Sequence, residues 1–397
     1  MISLSNRINS LAESETLAMA QKSRELKSRG FDVINLSLGE PDFFTPEFVK
    51  EAGINGIKEN HSFYTPVNGY LELRQSICKK LERDNKLRYT PEQIVVTTGA
   101  KQALYNALMC LVNPGDEVII AAPYWVSYSD MVQLAEGQAV YVYAGIEDDF
   151  KIKPHQLEAA ITSKTRVFMY SSPCNPTGSV YTESELQELA KVLEKYPQIT
   201  IIADEIYEHI TFSGVHSSIA AFDAIRDRVV IINGVSKGFA MTGWRLGYLA
   251  AHQDIAKACT KLQGQITSGT SSITQRATIA AMEANPSVTA HMLEKFRERR
   301  DLLMELVRDI PGFIINKPEG AFYLFPNVKA YFGKSDGDYH IKDAPDLCMY
   351  LLEKAQVATV AGDAFGDKDC IRISYATSNQ LIIEAVKRIK ECLARLK

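Results

Sequence analysis

The sequence predicts an α/β protein with a large domain built on a mainly parallel, doubly wound sheet and a smaller α+β domain. Three observations carry this expectation. The chain has 397 residues, too many for one simple core. From about residue 94, short β-branched or apolar runs alternate with helical patterns. After about residue 285 that alternation stops.

In order, the runs are QIVVTT, DEVIIAAP, QAVYVYA, TRVFMYSS, ITIIADE, RVVIING and GYLAA. Continuous apolar runs of this length suit strands covered on both faces, and helices between them suit crossovers, so the strands should lie mainly parallel. Beyond them come a long charged helix, PSVTAHMLEKFRERRDLLMELVRD, then GFIINKPEGAFYLF, CIRISYA and a C-terminal helix ending VKRIKECLARLK. These should form the smaller domain, joined in space by the N-terminal segment through NLSLGEPDFFTPEF. The expected division is 46–284 for the large domain, and 1–45 with 285–397 for the small one. GKSDGDY, near residue 333, reads as a flexible surface loop.

Lys plus Arg is 44 against 48 for Asp plus Glu, and a net charge of -4 gives no electrostatic reason to expect nucleic acid or an anionic membrane as partner. Seven cysteines, without a C-x-x-C pair, suggest reduced thiols and a cytoplasmic location. The N-terminus lacks a signal-like apolar core, and no segment approaches the roughly eighteen uninterrupted apolar residues of a membrane span. A soluble, unprocessed chain is expected.

In doubly wound sheets, ligands bind beyond the carboxyl ends of the strands. The loops there are TTGAKQAL (97–104), PYWVSY (123–128), SPCNPTG (172–178), ADEIYEH (203–209) and GVSKGFAMTGWRLG (234–247). Each has an ordinary explanation taken alone. TTGAKQAL, for example, is either a plain β-to-α turn or a helix start offering N–H groups to an anion. The two acids of ADE could hold magnesium in a nucleotide triphosphatase, but the G-K-S at 333–335 lies downstream and has Val328 where a phosphate loop needs its leading glycine. A dinucleotide-binding dehydrogenase is weakened by the absence of any G-x-G. No H-E-x-x-H or clustered Cys/His spacing is present, so no metal site is expected, and Cys174 reads as a packed thiol.

What remains is an anion-binding turn with Trp125, Asn175, Asp204, Tyr207, Lys237 and Arg245. That set suits a phosphorylated aromatic cation carried on a lysine. Pyridoxal 5'-phosphate is such a group: its aldehyde condenses with an amine, its ring nitrogen needs a carboxylate, and its phosphate needs N–H groups and a cation.

The motifs SLGEPDF, YTPVNGYLELR, TTGAKQAL, PYWVSY, NPTG, ADEIYE, SKGFAMTGWRLGY, GAFY and IRISYA occur in that order over nearly the whole chain. They resemble those of class I aminotransferases of the aspartate aminotransferase type, especially its bacterial branch. The resemblance implies a transferase of pyridoxal-phosphate fold type I that moves the amino group between L-aspartate and 2-oxoglutarate, giving oxaloacetate and L-glutamate. It leaves open, within the fold, an aminotransferase for aromatic, other neutral or prephenate substrates, and a carbon–sulfur β-lyase. A ligand-sensing transcription regulator of this fold would need an appended DNA-binding domain, for which the N-terminal forty or so residues leave no room. A binding protein without catalysis would be expected to lack the lysine or the aspartate.

By resemblance, Lys237 holds the cofactor and later carries a proton, and Asp204 pairs with the ring nitrogen. Asn175 and Tyr207 bond the phenolic oxygen, and Trp125 stacks on the ring. Ser236 and Arg245, with the N–H groups of Gly99, Ala100 and Lys101, form the phosphate cup, to which Tyr64 reaches from the second subunit of a homodimer. Arg372 grips the substrate α-carboxylate, and Gly39 and Phe322 close over the substrate. No arginine lies between Arg245 and Arg276 to bind a distal carboxylate, and the resemblance to the bacterial branch implies that Lys101 and Thr16 read it instead.

Overall fold

The computed structural model describes residues 2–11 and 15–397. Among them, seven strands form the central sheet. These are β1 (Ile94–Thr97), β2 (Glu117–Ala122), β3 (Gln138–Tyr143), β4 (Thr165–Ser171), β5 (Thr200–Asp204), β6 (Val229–Gly234) and β7 (Gly247–Ala250). Their order is β1-β7-β6-β5-β4-β2-β3. The β2–β3, β2–β4, β4–β5 and β5–β6 pairs are parallel, whereas β7 runs antiparallel to both neighbours. A parallel return needs a crossover. The β6–β7 connection is spent instead on the turn that carries Lys237 and Arg245, so the strand comes straight back.

All the apolar runs read from the sequence are strands of this one sheet, and their composition explains why. Val96, Ile119, Phe168, Ile201 and Ile231 pack into one layer of core, while Val95, Val118, Val167, Ile202 and Val230 pack into the layer on the opposite face. Consecutive side chains point to opposite faces, so a strand covered on both must be apolar at every position. Each such side chain contributes about 1.5–3 kcal/mol when fully buried.

A separate core gathers Val33, Ile34 and Leu36 with Phe296, Leu303, Phe322, Leu347 and Ile373. Its sheet has the antiparallel order β9-β10-β8, where β8 is Tyr323–Leu324, β9 is Val360–Ala361 and β10 is Ile371–Ser374. Ile34–Asn35 pairs in parallel with Val357–Ala358. Ile206, Tyr207, Ile210 and Phe212, which follow β5, also pack into this core and so link it to the central sheet.

Two local expectations change. The charged helix is Ala290–Val307, entered through a 3-10 turn at Pro286–Thr289. GKSDGDY is not a loop but a hairpin pairing Ser335–Asp336 with Tyr339–His340. Gly337 turns it at φ 59°, and Tyr350 Oη donates to Asp336 Oδ2 at 2.8 Å.

Candidate active site

The carboxyl ends of the strands open into a cavity of about 390 Å³. At one end lies the anion cup. β1 leads through Gly99, at φ 81°, into the helix Ala100–Leu111. A Cβ at Gly99 would overlap Arg245 Nη2, so only glycine admits the guanidinium so close to the helix start. Arg245 Nη1 donates to Thr242 O at 2.8 Å. One expectation is corrected: the Gly99 N–H turns onto Thr97 O at 2.9 Å, away from the cup. The N–H groups of Ala100 and Lys101 stand at the helix start, where the ladder supplies no acceptor. Ser236 and Ala100 line the cavity beside Arg245.

Gly247, at the start of β7, lies directly behind this cup. A Cβ there would overlap Ala100 N and stand 2.5 Å from Gly99 C, backbone atoms that cannot rotate aside. Gly247→Ala is therefore expected to destabilise the fold by about 1–3 kcal/mol, the usual range for overpacking. A lowered midpoint of chemical unfolding checks it.

Lys237 and Asp204 occupy the centre. The Lys237 amine is partly buried and donates to Gly39 O at 2.6 Å. Burial lowers its pKa to about 8; Arg372 and Arg245 push the same way, while Glu40 and Asp204 oppose. The segment bearing Gly39 is fastened by the paired bonds from Arg299 to Asp42, at 2.7 and 2.8 Å, and by Thr45 Oγ1 on Ala240 O at 2.9 Å. Asp204, the last residue of β5, is buried and accepts from Tyr128 Oη at 2.7 Å and from the Ile206 N–H at 3.2 Å. Burial raises its pKa to about 6 against those two bonds.

On the opposite wall, Arg372 of β10 is 1% exposed. Its Nη1 donates to Asn175 Oδ1 at 2.9 Å and its Nη2 to Ser37 O at 2.6 Å, while Nε has no partner among the described residues. Tyr207 lies beneath, its Oη 2.7 Å from that of Tyr323. At the mouth, Lys101 Nζ stands 4.8 Å from the centroid of the Trp125 ring. Thr16 also lines the cavity, and its Oγ1 has no hydrogen-bond partner among the described residues.

The cavity thus brings together Lys237, Asp204, Tyr207, Asn175, Arg372, Arg245, Ser236, Ala100, Trp125, Gly39, Lys101 and Thr16. Besides Gly99, which stands behind the lining, two expected residues are elsewhere. Phe322, in the turn just before β8, is directed into the core and stacked on Phe296 at 5.0 Å, while Tyr323, the first residue of β8, takes the cavity side. Tyr64 is 100% exposed and does not line the cavity of its own chain.

Tyr323 and Tyr128 were not singled out from the sequence. Tyr128 had a readable signal, since it stands three residues beyond Trp125 in PYWVSY. Also unforeseen is a buried charge network behind the site. Glu205 and Glu208, which alternate with Asp204 and Tyr207, face away from the cavity toward Lys80, His209 and His216. Glu205, Glu208 and His216 offer ligand-type atoms within 4.8 Å of one another. The Lys80 ammonium already sits on Glu208. Burial pushes the Glu208 carboxyl up, but Lys80 and the two histidines outweigh it and hold it far below the usual carboxylate range.

A helix start beside Arg245, the Lys237 amine, the buried acid Asp204 and the buried Arg372 thus meet in one crevice, an arrangement suited to an enzyme that handles amino and carboxylate groups. The chain belongs to the class I and II aminotransferase family, whose sequence profile matches residues 32–389. It is 48% identical over 401 residues to a Petunia hybrida protein named bifunctional aspartate aminotransferase and glutamate/aspartate-prephenate aminotransferase, covering all of this chain and 84% of the relative. It is 46% identical over 389 residues to a Bacillus subtilis aspartate aminotransferase, covering 98% of each. The crystal structure of the aspartate aminotransferase from Rhizobium meliloti superposes with a TM-score of 0.97 at 40% identity, covering 100% of both chains.

Proposed function

We propose that this aminotransferase uses pyridoxal 5'-phosphate to move the amino group between L-aspartate and 2-oxoglutarate. The observation that carries the reading is the Lys237 amine, its pKa lowered to about 8, in one cavity with buried Asp204 and Arg372. When bound, pyridoxal phosphate supplies an aldehyde that condenses with an amine and a ring that accepts the electron pair left at the substrate Cα.

The residues fit that group. Arg245, Ser236 and the helix-start N–H groups of Ala100 and Lys101 would hold the phosphate, and the absence of a Cβ at Gly99 leaves room for the guanidinium there. Asp204, raised to about 6 by burial with only the more distant Lys237 charge against it, would gain a direct cationic partner in a protonated ring nitrogen. Such a contact is worth about 4 kcal/mol at an effective dielectric near 20, before desolvation. Asn175 and Tyr207 would bond the phenolic oxygen, and Trp125 would cover the ring face. The Lys237 amine is neutral in a useful fraction near pH 8, so it serves first as nucleophile and then as the group that takes the Cα proton on Nζ. Arg372 fixes the α-carboxylate through its planar fork and thereby orients that Cα–H.

Lys101 and Thr16, at the mouth, would read the distal carboxylate. Lys101→Ala is expected to lower kcat/KM for aspartate by about 10–100-fold, the loss of one charge-assisted hydrogen bond, while neutral amino acids change little. Equal losses on both would defeat the assignment. The test of the function itself is oxaloacetate formation from aspartate and 2-oxoglutarate; a rate no higher than that of phenylalanine with the same acceptor would refute it. A second reading, prephenate as a further amino acceptor, is supported by the name of the Petunia hybrida relative and by the two carboxylates that prephenate shares with the dicarboxylic substrates.

Residues 46–284 form the cofactor domain in this reading, with 1–45 and 285–397 closing over the substrate. The protein acts as a cytoplasmic homodimer. Tyr64, beside the 82% exposed Phe63, reaches the phosphate cup of the partner subunit. Among the described residues no helix is long and apolar enough to cross a membrane.

A further inference from the structure

Tyr323 touches parts of the cavity to which the proposed function gives different tasks. Its ring faces the Arg372 guanidinium at 4.7 Å, and Phe365 faces it at the same distance. No carboxylate pairs with Arg372 among the described residues; its polar contacts are neutral oxygens of Asn175 and Ser37. A buried cation without a counter-ion is costly, and two desolvated π faces are what stands against it. They also restrict where the guanidinium plane can lie.

The hydroxyl of Tyr323 does something else. It lies 2.7 Å from Tyr207 Oη, and it fills the space that a Cβ at Gly39 would need. Each phenol has one proton to donate. If Tyr323 donates to Tyr207, the Tyr207 proton is left free for the cavity; if the bond ran the other way, that proton would be consumed.

We propose that Tyr323 is a positioning residue with two separable tasks: its ring, with Phe365, clamps Arg372 for carboxylate capture, and its hydroxyl turns the Tyr207 proton toward the phenolic oxygen of the cofactor. This rests on the proposed function. The variants that separate the tasks are Tyr323→Phe, which keeps the ring and removes the hydroxyl, and Phe365→Leu, which removes one π face and leaves the hydroxyl.

Two properties are read on the pyridoxal phosphate-loaded protein without turnover: the pH midpoint of its visible absorbance band, and the Kd of maleate, a dicarboxylate with no amine to transfer. Tyr323→Phe is expected to raise the midpoint by about half a unit to one unit, the size of one net hydrogen bond, and to leave the maleate Kd within about twofold. Phe365→Leu is expected to weaken maleate by about 3–30-fold and leave the midpoint in place. In turnover, the first lowers kcat with KM retained and the second raises KM with kcat retained. A Tyr323→Phe midpoint equal to wild type would overturn the hydroxyl role, and an unchanged maleate Kd in Phe365→Leu would overturn the clamp. A wild-type protein with no visible band would instead overturn the proposed function itself, and this inference with it.

Discussion

Replacing Lys237 by alanine is expected to lower kcat by about 10⁴-fold or more, because one side chain supplies both the nucleophile and the proton carrier. The same substitution should leave stability unchanged or improve it. Among the described residues the amine makes one hydrogen bond, to Gly39 O, and its lowered pKa records the cost of holding an ammonium there. Loss of activity together with an unfolding midpoint at or above wild type is the signature of a residue kept for chemistry. Activity within tenfold of wild type would remove Lys237 from the centre of the mechanism.

Arg372→Lys is expected to lower kcat/KM for aspartate by about 10²–10³-fold. Lysine retains the charge but cannot make the two parallel bonds of a guanidinium to a carboxylate, and charge-assisted bonds contribute about 1.5–3 kcal/mol each. It also cannot keep the contacts to Asn175 Oδ1 and Ser37 O in one plane. Most of the loss should fall on KM, since the fork acts on the bound substrate before any bond breaks, and kinetics over a wide aspartate range will separate the two. A near-normal KM would mean that Arg372 serves the fold rather than the substrate.

The central sheet was legible because its strands are buried on both faces, which forces runs such as VVIING to be apolar throughout. The loops beyond those strands were legible for a related reason. Lysine, aspartate, asparagine and arginine in the loops beyond apolar strands each have an ordinary explanation taken alone, but together, in the motif order, their convergence is readable. Other features were hidden by geometry. In GAFYLF the sequence does not say which of Phe322 and Tyr323 faces the cavity, since a one-residue shift in register exchanges them. The Gly99 N–H depends on a local turn onto Thr97 O. Lys80 and Glu208 are 128 positions apart, and only the fold brings them together.

The cavity also explains why so many glycines crowd these motifs. Gly39, Gly99 and Gly247 each stand where a Cβ would overlap a functional group or the backbone that carries it: the Tyr323 hydroxyl, the Arg245 guanidinium and Ala100 N. The sequence marks the three positions only as glycine, and the reason for each lies in a residue distant along the chain.

The most direct test of the account is borohydride reduction of the pyridoxal phosphate-loaded protein, followed by peptide mapping, with and without prior addition of aspartate alone. The prediction is a cofactor-sized mass increment on the peptide containing Lys237 in the first sample, and its loss in the second, because aspartate converts the cofactor to an amine that no longer bonds the lysine. An increment on another lysine, Lys101 included, would contradict the assignment of Lys237. An increment on Lys237 that aspartate leaves untouched would contradict aspartate as the amino donor.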